Sequence, residues 1–273
     1  MGNATLVIDG HVHLYPNYDL IKAVEKGVTN LKSHATKYIK ENSTIVSIWL
    51  LAERSDSDFF KKIYDSPKSF SNDEIRFKKG KDKLTVVVEQ SNQVVLYIFA
   101  GRQLITREGL EVLSLISDLN IIDRQKAIEE IIQDVKGSGG IPALNWAPGK
   151  WFFARGKVIA RQIQQKSPDD FFIGETTLRH TLWQEPKLIK QARNKGFQVI
   201  AGSDPLPFKG EENGIGCYGF LISGTFDQDN PAQSLRALMN SHGIEIKIIG
   251  NRNNVLTFAR RQYKIMMEKT TRS

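Results

Sequence analysis

Patterns typical of buried strands and of helices alternate along most of this chain, and the alternation restricts the folds that it can adopt. Apolar runs at residues 5–9 and 44–52 predict buried strands. Residues 18–40 between them carry apolar side chains at helical spacing, which predicts a long helix. The alternation of strand and helix patterns resumes after the segment that begins at Gly109, and it continues to a predicted basic C-terminal helix from Asn254. Alternation of this length favours one α/β barrel or a doubly wound sheet.

Two segments depart from the alternation. Three extended runs, EIRFKK, LTVVVEQ and VVLYIFAGRQ, are separated by the turns KGKD and SNQ, which predicts a β-rich insertion near residues 74–100. The glycine-rich run EENGIGCYGF at residues 211–220 is predicted to be a loop or a flexible lid. We therefore expect an α/β fold with a single distorted TIM-like (β/α)7–8 barrel as its one domain, over residues 1–273.

Cysteine usage and hydropathy indicate the compartment. Cys217 is the one cysteine, so an intrachain disulfide is impossible and a reducing compartment is expected. No run approaches the roughly 18 apolar residues of a membrane span. The first residues, MGNATLVIDGH, lack the basic-then-apolar layout of a secretion signal. We expect a soluble, cytoplasmic protein without a membrane partner.

The net charge of +8, from 38 basic and 30 acidic side chains, leaves two interpretations open. It could attract a small phosphorylated substrate or, with weaker support, a nucleic acid. However, the basic residues are spread along the chain, and the densest cluster, RFKKGKDK at residues 76–83, resembles a hairpin turn. An ordinary solvated surface is the alternative.

Two histidines at the end of the first predicted strand are the main chemical signal. His11 and His13 in LVIDGHVHLYP stand at i and i+2, so a strand would project both rings from one face. The C-terminal ends of parallel strands form the binding sites of α/β folds. Neutral imidazoles are good ligands for zinc and similar divalent metals. The alternative is a pair of partly exposed histidines in a turn. The apolar run and Asp9-Gly10, where we expect the backbone to turn tightly, precede the pair and favour the metal interpretation.

Further ligands are expected at other strand ends. Asp204 in AGSDP directly follows a predicted strand, and Gly202 would allow a close approach; a turn aspartate before proline is the alternative. Glu111 in GLEVLSL lies in an apolar stretch, where a carboxylate should be paired or bound to metal; a glutamate on a helix surface is the alternative. Glu175 in FFIGE ends another predicted strand and is a weaker candidate.

Four residues are candidates for roles beside the metal. Glu175 or His180 could transfer protons. Lys150 and Arg155, in and after the loop NWAPGKW, could stabilise negative charge on an anionic substrate, although ordinary surface roles remain open. That loop fails the phosphate-loop pattern, since Leu144 replaces the first glycine and Trp151 follows the lysine.

The motifs DGHVHLYP, GLEVLSL, GGIPALNWAP, FFIGETTLR and AGSDP follow the order of those in the PHP family, named for polymerase and histidinol phosphatase. The chain also resembles, more distantly, the amidohydrolase and TatD-type hydrolases. The PHP resemblance implies a distorted barrel of about seven βα units that hydrolyses phosphoesters with two or three metal ions. It implies that His11, His13, Glu111 and Asp204 hold metal.

The chain departs from the PHP pattern at three positions. Leu206 stands where the late Asp-x-His motif has its histidine, and Trp146 aligns with a mid-chain histidine. The early Asp-His expected after Ala52 is absent, and Glu53 is the nearby carboxylate. One divalent ion (Zn, Mn or Fe) would therefore bind tightly, and a second would bind weakly.

These observations lead to two hypotheses. The first is a metal-dependent hydrolase, a phosphoesterase, that uses a metal-activated water at the C-terminal mouth of the barrel. The second is a catalytically degenerate PHP-like barrel that binds a metal or an anionic ligand as a regulatory or interaction module. Nucleic-acid processing of the TatD type is a third possibility, which only the positive charge favours.

Overall fold

The computed structural model describes residues 2–38 and 44–272, with side chains over 4–38 and 44–267. The strands of this part of the chain are β1 (Gly2–Val12), β2 (Thr44–Leu51), β3 (Glu53–Arg54), β4 (Ile75–Lys79), β5 (Thr85–Gln90), β6 (Gln93–Phe99), β7 (Gly101–Ile105), β8 (Glu111–Leu115), β9 (Ile141–Asn145), β10 (Phe172–Thr176), β11 (Val199–Gly202), β12 (Tyr218–Phe226) and β13 (Lys247–Gly250). Its α-helices are α1 (Leu20–Ala35), α2 (Phe59–Asp65), α3 (Ile128–Gly137), α4 (Phe153–Gln165), α5 (Lys187–Asn194), α6 (Pro231–Met239) and α7 (Val255–Arg272). None of these helices is both long and apolar enough to cross a membrane.

The described strands pair into two sheets. One has seven strands in the order β13-β12-β1-β2-β6-β5-β4, and the other has six in the order β11-β10-β9-β8-β7-β3. Parallel pairing joins β1 to β2, β2 to β6, β3 to β7, β9 to β10 and β10 to β11. The remaining pairs are antiparallel. The predicted mixed α/β class is confirmed, whereas closure into a TIM-like barrel stays a prediction.

Two extended segments run from one sheet into the other. Ala52 separates β2 from β3, and Ala100 separates β6 from β7. At the first break, Ala52 N donates to Val12 O at 2.9 Å, which ties β2 to the end of β1. At the second break, a Cβ built on Gly101 would lie 2.0 Å from Leu51 O. Only glycine allows the two main chains to approach this closely.

Helix α1 packs one apolar face against the seven-stranded sheet. Asp19 caps its N-terminus by accepting a hydrogen bond from Lys22 N at 3.1 Å. Leu31 and Trp49 are fully buried in the same hydrophobic cluster, and burial of a leucine side chain contributes about 2 kcal/mol. A Cβ on Gly27 would lie 2.4 Å from Trp49 Cζ2, so this glycine sets how closely α1 approaches the sheet.

Several predicted elements differ in extent from those observed. Helix α1 begins at Leu20, two residues later than predicted, ends at Ala35 and is followed by a 3-10 turn at Thr36–Tyr38. Residues 39 and 40 of the predicted helix lie outside the described residues. Of the predicted insertion near residues 74–100, β4 and β5 extend the sheet, but β6 is parallel to β2 and belongs to its centre.

Strand β12 is the largest element that sequence patterns miss. The predicted loop at 211–220 overlaps its start, and β12 pairs with β1 from Gly2↔Phe226 to Ile8↔Phe220. Glycines weaken the strand pattern of YGFLISGTF, but they are needed here because a Cβ on Gly219 would lie 2.3 Å from Ile8 O. Tertiary pairing therefore overrides the local signal.

Candidate metal centre

His11 and His13 meet at the C-terminal end of β1. His11 is the penultimate residue of the strand, and His13 directly follows it. Their Nε2 atoms lie 3.0 Å apart, and both rings are buried, with 2% and 6% of their surface exposed. The strand period of two brings both rings to one side, as the sequence pattern predicts. The predicted tight turn at Asp9-Gly10 is wrong, since both residues lie within β1.

Two glycines allow β11 to approach β1 at this point. A Cβ on Gly202 would lie 2.3 Å from His11 N, and one on Gly10 would lie 2.8 Å from Ala201 O. The chain then forms a main-chain hydrogen bond from Asp204 N to His11 O at 2.9 Å. The close approach expected for Gly202 is therefore present, and it places Asp204 beside the histidine pair.

The Asp204 carboxylate completes a compact group of three donors. Its Oδ1 lies 3.6 Å from His11 Nε2 and 3.5 Å from His13 Nε2. Within residues 2–38 and 44–272, this is the one group of three or more His, Cys, Asp or Glu side chains whose donor atoms are arranged to hold a metal ion. Metal–ligand distances of about 2.0–2.1 Å in a tetrahedral site place neighbouring ligand atoms about 3.3 Å apart. The three observed separations fit that spacing.

The backbone of Asp204 is held in an unusual conformation. Its φ is +49°, in the left-handed region that residues other than glycine seldom occupy. Arg261 of helix α7 donates from Nη2 to Asp204 O at 2.7 Å. Such backbone strain costs about 1–3 kcal/mol and concentrates at functional sites. Asp204 lies in the irregular segment between β11 and Pro205, and it is a member of the donor group.

The His13 imidazole is in an environment that favours its neutral form. Burial, reinforced by the proximity of His11, lowers the pKa of His13 to about 3. A neutral ring with a free nitrogen lone pair is the form that binds metals. The buried Nδ1 of His11 has no hydrogen-bond partner in the described structure, so the second nitrogen of this ring is unsatisfied. The donor set therefore suits a divalent ion such as zinc.

Asp9 is a structural residue of the site that sequence reasoning did not assign. It is fully buried, and it accepts hydrogen bonds from Ser203 N at 2.9 Å, Ser203 Oγ at 2.5 Å and Gly216 N at 2.8 Å. Burial outweighs these hydrogen bonds and raises the pKa of Asp9 to about 6. Asp9 thus ties β1 to the segment that carries Asp204. A carboxylate inside an otherwise apolar run was the available signal.

Glu111 lies outside the histidine–aspartate group. It begins β8, and its carboxylate is 3.4 Å from Lys150 Nζ and 3.3 Å from Asn145 Nδ2. The structure therefore brings together three of the four predicted metal ligands and places the fourth with a lysine. The predicted alternative of a helix-surface glutamate is wrong, because Glu111 is in a strand. Lys150, which was predicted to stabilise an anionic substrate, is paired with this carboxylate.

Glu175 is buried in a cationic environment at the end of β10. Arg179 donates from Nε to Glu175 Oε1 at 2.9 Å, and Arg252 Nε lies 3.9 Å from the same oxygen. The Tyr218 hydroxyl donates to Glu175 Oε1 at 3.1 Å. The carboxylate is therefore engaged by three groups on the protein itself, which leaves it less available for proton transfer.

His180 and Arg155, which were also singled out from the sequence, lie in separate surroundings. The His180 ring packs against Trp183 and Phe258, with centroids 5.5 Å and 5.1 Å away, and its Nδ1 has no partner in the described structure. Arg155 is half-buried at the start of α4 and donates to Gly149 O at 2.9 Å. Neither residue belongs to the three-donor group.

The positions that depart from the PHP pattern are occupied by residues with structural contacts. Trp146 is fully buried and packs edge-on against Trp183, with centroids 5.3 Å apart. The Leu206 carbonyl accepts a hydrogen bond from the Tyr18 hydroxyl. Glu53 accepts from Phe60 N at 2.9 Å, and burial raises its pKa. None of the three residues joins the described donor group.

Comparison with known proteins gives a fold but no family. No protein-family model matches the sequence, and no curated protein matches it. Among solved structures, PsfC from Pseudomonas syringae PB-5123 is similar over 100% of both chains, with a TM-score of 0.55 and 12% identity. This likeness shows a shared fold.

A weaker likeness involves a two-domain protein from Bacteroides vulgatus ATCC 8482, described as containing a predicted PHP-like metal-dependent phosphoesterase. It has a TM-score of 0.42 and 11% identity, and the match covers 90% of this chain and 64% of that protein. At this score the likeness carries no argument about the activity of this chain.

Proposed function

We propose that this protein is a metal-dependent hydrolase of the phosphoesterase type, whose divalent ion is held by His11, His13 and Asp204. The convergence of these three buried side chains, with donor atoms 3.0–3.6 Å apart, is the observation that carries the proposal. The order of PHP-like motifs in the sequence supports it. The proposal includes a PHP-like barrel with this site at its mouth and zinc, manganese or iron as the ion.

Two nitrogens and one oxygen leave a coordination position for water or substrate, as in catalytic zinc sites. When bound, the ion supplies a water of lowered pKa and polarises the scissile group. The role of the chain is to orient the donors. Asp9 fixes Ser203 by accepting hydrogen bonds from its main-chain nitrogen at 2.9 Å and from its hydroxyl at 2.5 Å, and Arg261 fixes the Asp204 carbonyl. These contacts hold the ligands in place before any ion arrives.

The remaining candidate residues are proposed to have different roles around the metal. Lys150 and Arg155 are assigned to the negative charge of a small anionic substrate, and His180 to proton transfer. Glu175 is the weaker candidate for proton transfer, because Arg179 and Tyr218 already occupy its carboxylate. Glu111 is assigned to a second ion. This ion would bind more weakly, because the Glu111 carboxylate is also paired with Lys150.

Specific observations also favour a second function, a degenerate barrel that binds metal or an anionic ligand without turnover. Trp146 fills the place of an expected histidine with a buried apolar ring. Both Glu111 and Glu175 are paired with basic side chains. In this alternative the three-donor centre is a structural or regulatory metal site.

Two measurements separate the two functions. They are elemental analysis of the protein and a screen for phosphatase and esterase activity with added manganese or zinc. The hydrolase proposal expects one tightly bound ion per chain and metal-dependent turnover. The double variant His11→Ala/His13→Ala should lose both the ion and the activity. His34→Ala/His242→Ala, which removes two histidines outside the donor group, is the matched control and should keep both.

A bound ion without turnover of any ester would support the degenerate barrel. Unchanged metal content in His11→Ala/His13→Ala would overturn both functions, because each assigns the ion to these rings.

A further inference from the structure

Two neighbouring cavities lie between helix α7 and the loop that follows β11. Their volumes are 140 Å³ and 240 Å³. They share four lining residues, Gly210, Glu211, Thr257 and Arg261, and so form one two-lobed groove, which we call the α7 groove. Each lobe is several times the roughly 30 Å³ that one water molecule occupies in the liquid. The groove is therefore large enough for a small polyatomic ligand.

The larger lobe is strongly cationic. Its lining includes four basic residues, Lys209, Arg260, Arg261 and Lys264, and one acidic residue, Glu211. Glu211 is already paired with Arg261, at 2.9 Å. The other three basic side chains have no carboxylate partner among the described residues. Like charges that line one cavity repel one another, and a bound anion would relieve that repulsion.

Arg261 links the groove to the metal centre. Its side chain is buried, with Nη1 donating to Thr177 Oγ1 at 2.8 Å and Nη2 donating to Asp204 O at 2.7 Å. Its Nε is also buried and has no acceptor in the described structure. A buried donor without an acceptor destabilises the folded state, so this guanidinium retains unused binding capacity.

We propose that the α7 groove is a second ligand site, which binds an oxyanion of the phosphate type. Guanidinium and ammonium groups recognise phosphate through short, charge-assisted hydrogen bonds, and arginine can do so in a bidentate manner. Thr177 and Ser203 also line the smaller lobe, but their hydroxyls already donate to Ser203 O and to Asp9, so the basic side chains are the groups proposed to hold the anion. The oxyanion is either free inorganic phosphate or a phosphoryl group of a larger substrate. None of the basic residues that line the groove is a proposed metal ligand, so this site stands without the metal centre.

Calorimetry tests the site by titrating the metal-free protein with inorganic phosphate. An ionic strength of about 20 mM keeps the screening of charges weak. The wild-type chain should bind one phosphate. The variant Arg260→Gln/Lys264→Gln should bind it about tenfold more weakly or worse, because two charge-assisted contacts are lost. Lys22→Gln/Lys26→Gln removes two exposed basic residues at the same i, i+4 spacing from α1 and should leave the affinity unchanged. Thermal unfolding of each variant checks that the fold is retained.

His11→Ala/His13→Ala should also bind phosphate with wild-type affinity, since the groove does not use these rings. Loss of binding in that variant would overturn the proposal, because the phosphate would then lie at the histidines. Absence of binding to the metal-free wild type would overturn it as well, as would equal weakening in the α1 control.

Comparison of metal-free with zinc-loaded protein identifies the source of the oxyanion. If the groove takes one phosphoryl group of a substrate, a short alkane bisphosphate should bind at least tenfold more tightly to the zinc-loaded protein, because its second phosphate reaches the metal. If the ligand is free phosphate, the bisphosphate should bind both forms equally. Either result identifies whether the oxyanion is free phosphate or part of a substrate, once the first titration has shown that the groove binds phosphate.

Discussion

Gly202 and His11 are in such close contact that a Cβ on the glycine would lie 2.3 Å from the histidine main-chain nitrogen. The contact allows the end of β11 to lie beside the end of β1, and it places Asp204 two residues later within 3.6 Å of both imidazoles. A residue without chemical function of its own thus sets the dimensions of the candidate metal centre.

We expect Gly202→Ala to weaken metal binding at least tenfold and to destabilise the fold by about 1–3 kcal/mol, because the added methyl forces β11 away from β1. Metal titration and urea unfolding measure the two effects. Gly137→Ala is the control, since a Cβ at that position meets nothing within 4 Å. Wild-type metal affinity in Gly202→Ala would show that the centre does not depend on this contact.

Asp204→Asn and Glu175→Gln should have opposite effects on metal binding and stability. Asp204→Asn removes an anionic ligand and should weaken metal binding at least tenfold. Glu175→Gln leaves Arg179 and Arg252 without their buried counter-charge, which should destabilise the fold by about 3 kcal/mol and leave the metal affinity nearly unchanged. Metal titration and urea unfolding of both variants provide the ranking. The reverse order of metal affinities would assign the ligand role to Glu175.

Asp9→Ala should loosen the centre without removing a ligand. The change leaves the Ser203 and Gly216 main-chain donors buried and unpaired, at a cost of about 1–3 kcal/mol, and it frees the segment that carries Asp204. Stability and metal affinity should both fall. Asp9→Asn keeps an acceptor oxygen and should recover part of each loss, whereas the exposed Asp73→Ala should change neither. If Asp9→Ala bound metal as well as the wild type does, the hydrogen bonds of Asp9 would be irrelevant to the site.

Glu53 should contribute a pH dependence to the stability of the metal-free protein. Burial raises its pKa above the ordinary value of 4.5, so between 4.5 and the raised pKa the folded state binds more protons than the unfolded state. Stability should therefore fall as pH rises through that window. Glu53→Gln stays neutral and can still accept from Phe60 N, so it should lose this part of the slope. Urea unfolding across this pH window measures the slope, with the exposed Glu25→Gln as control. If Glu53→Gln kept the wild-type slope, the pH dependence would not come from Glu53.

Local patterns in the sequence predict the parts of the site that depend on local geometry. The i, i+2 spacing of His11 and His13 needs only a strand, and Asp204 needs only a strand that ends before it. The partners of Asp9 and Glu111 could not be found in this way. Ser203 lies 194 residues beyond Asp9, and Lys150 reaches Glu111 from the loop after a neighbouring strand. Sheet order decides which carboxylate is bonded to the segment that carries Asp204 and which is paired with a lysine, and local periodicity does not encode sheet order.

The same limit explains β12. Its glycines look like loop residues when they are read alone, yet Gly219 is required because β1 passes too close for any side chain. When pairing with a neighbouring strand stabilises a segment, the sequence of that segment can show only a weak strand pattern.

The bracing of Asp204 by Arg261 also bears on the order of events during synthesis. His11 and His13 emerge from the ribosome early, Asp204 emerges much later, and the arginine that holds the Asp204 carbonyl emerges later still. In the growing chain, the imidazole pair is therefore made before the carboxylate and the arginine that supports it. The three-donor geometry can form only after Asp204 and Arg261 have both been synthesised, and before that point the histidine pair lacks the geometry with which the proposed centre would select its ion.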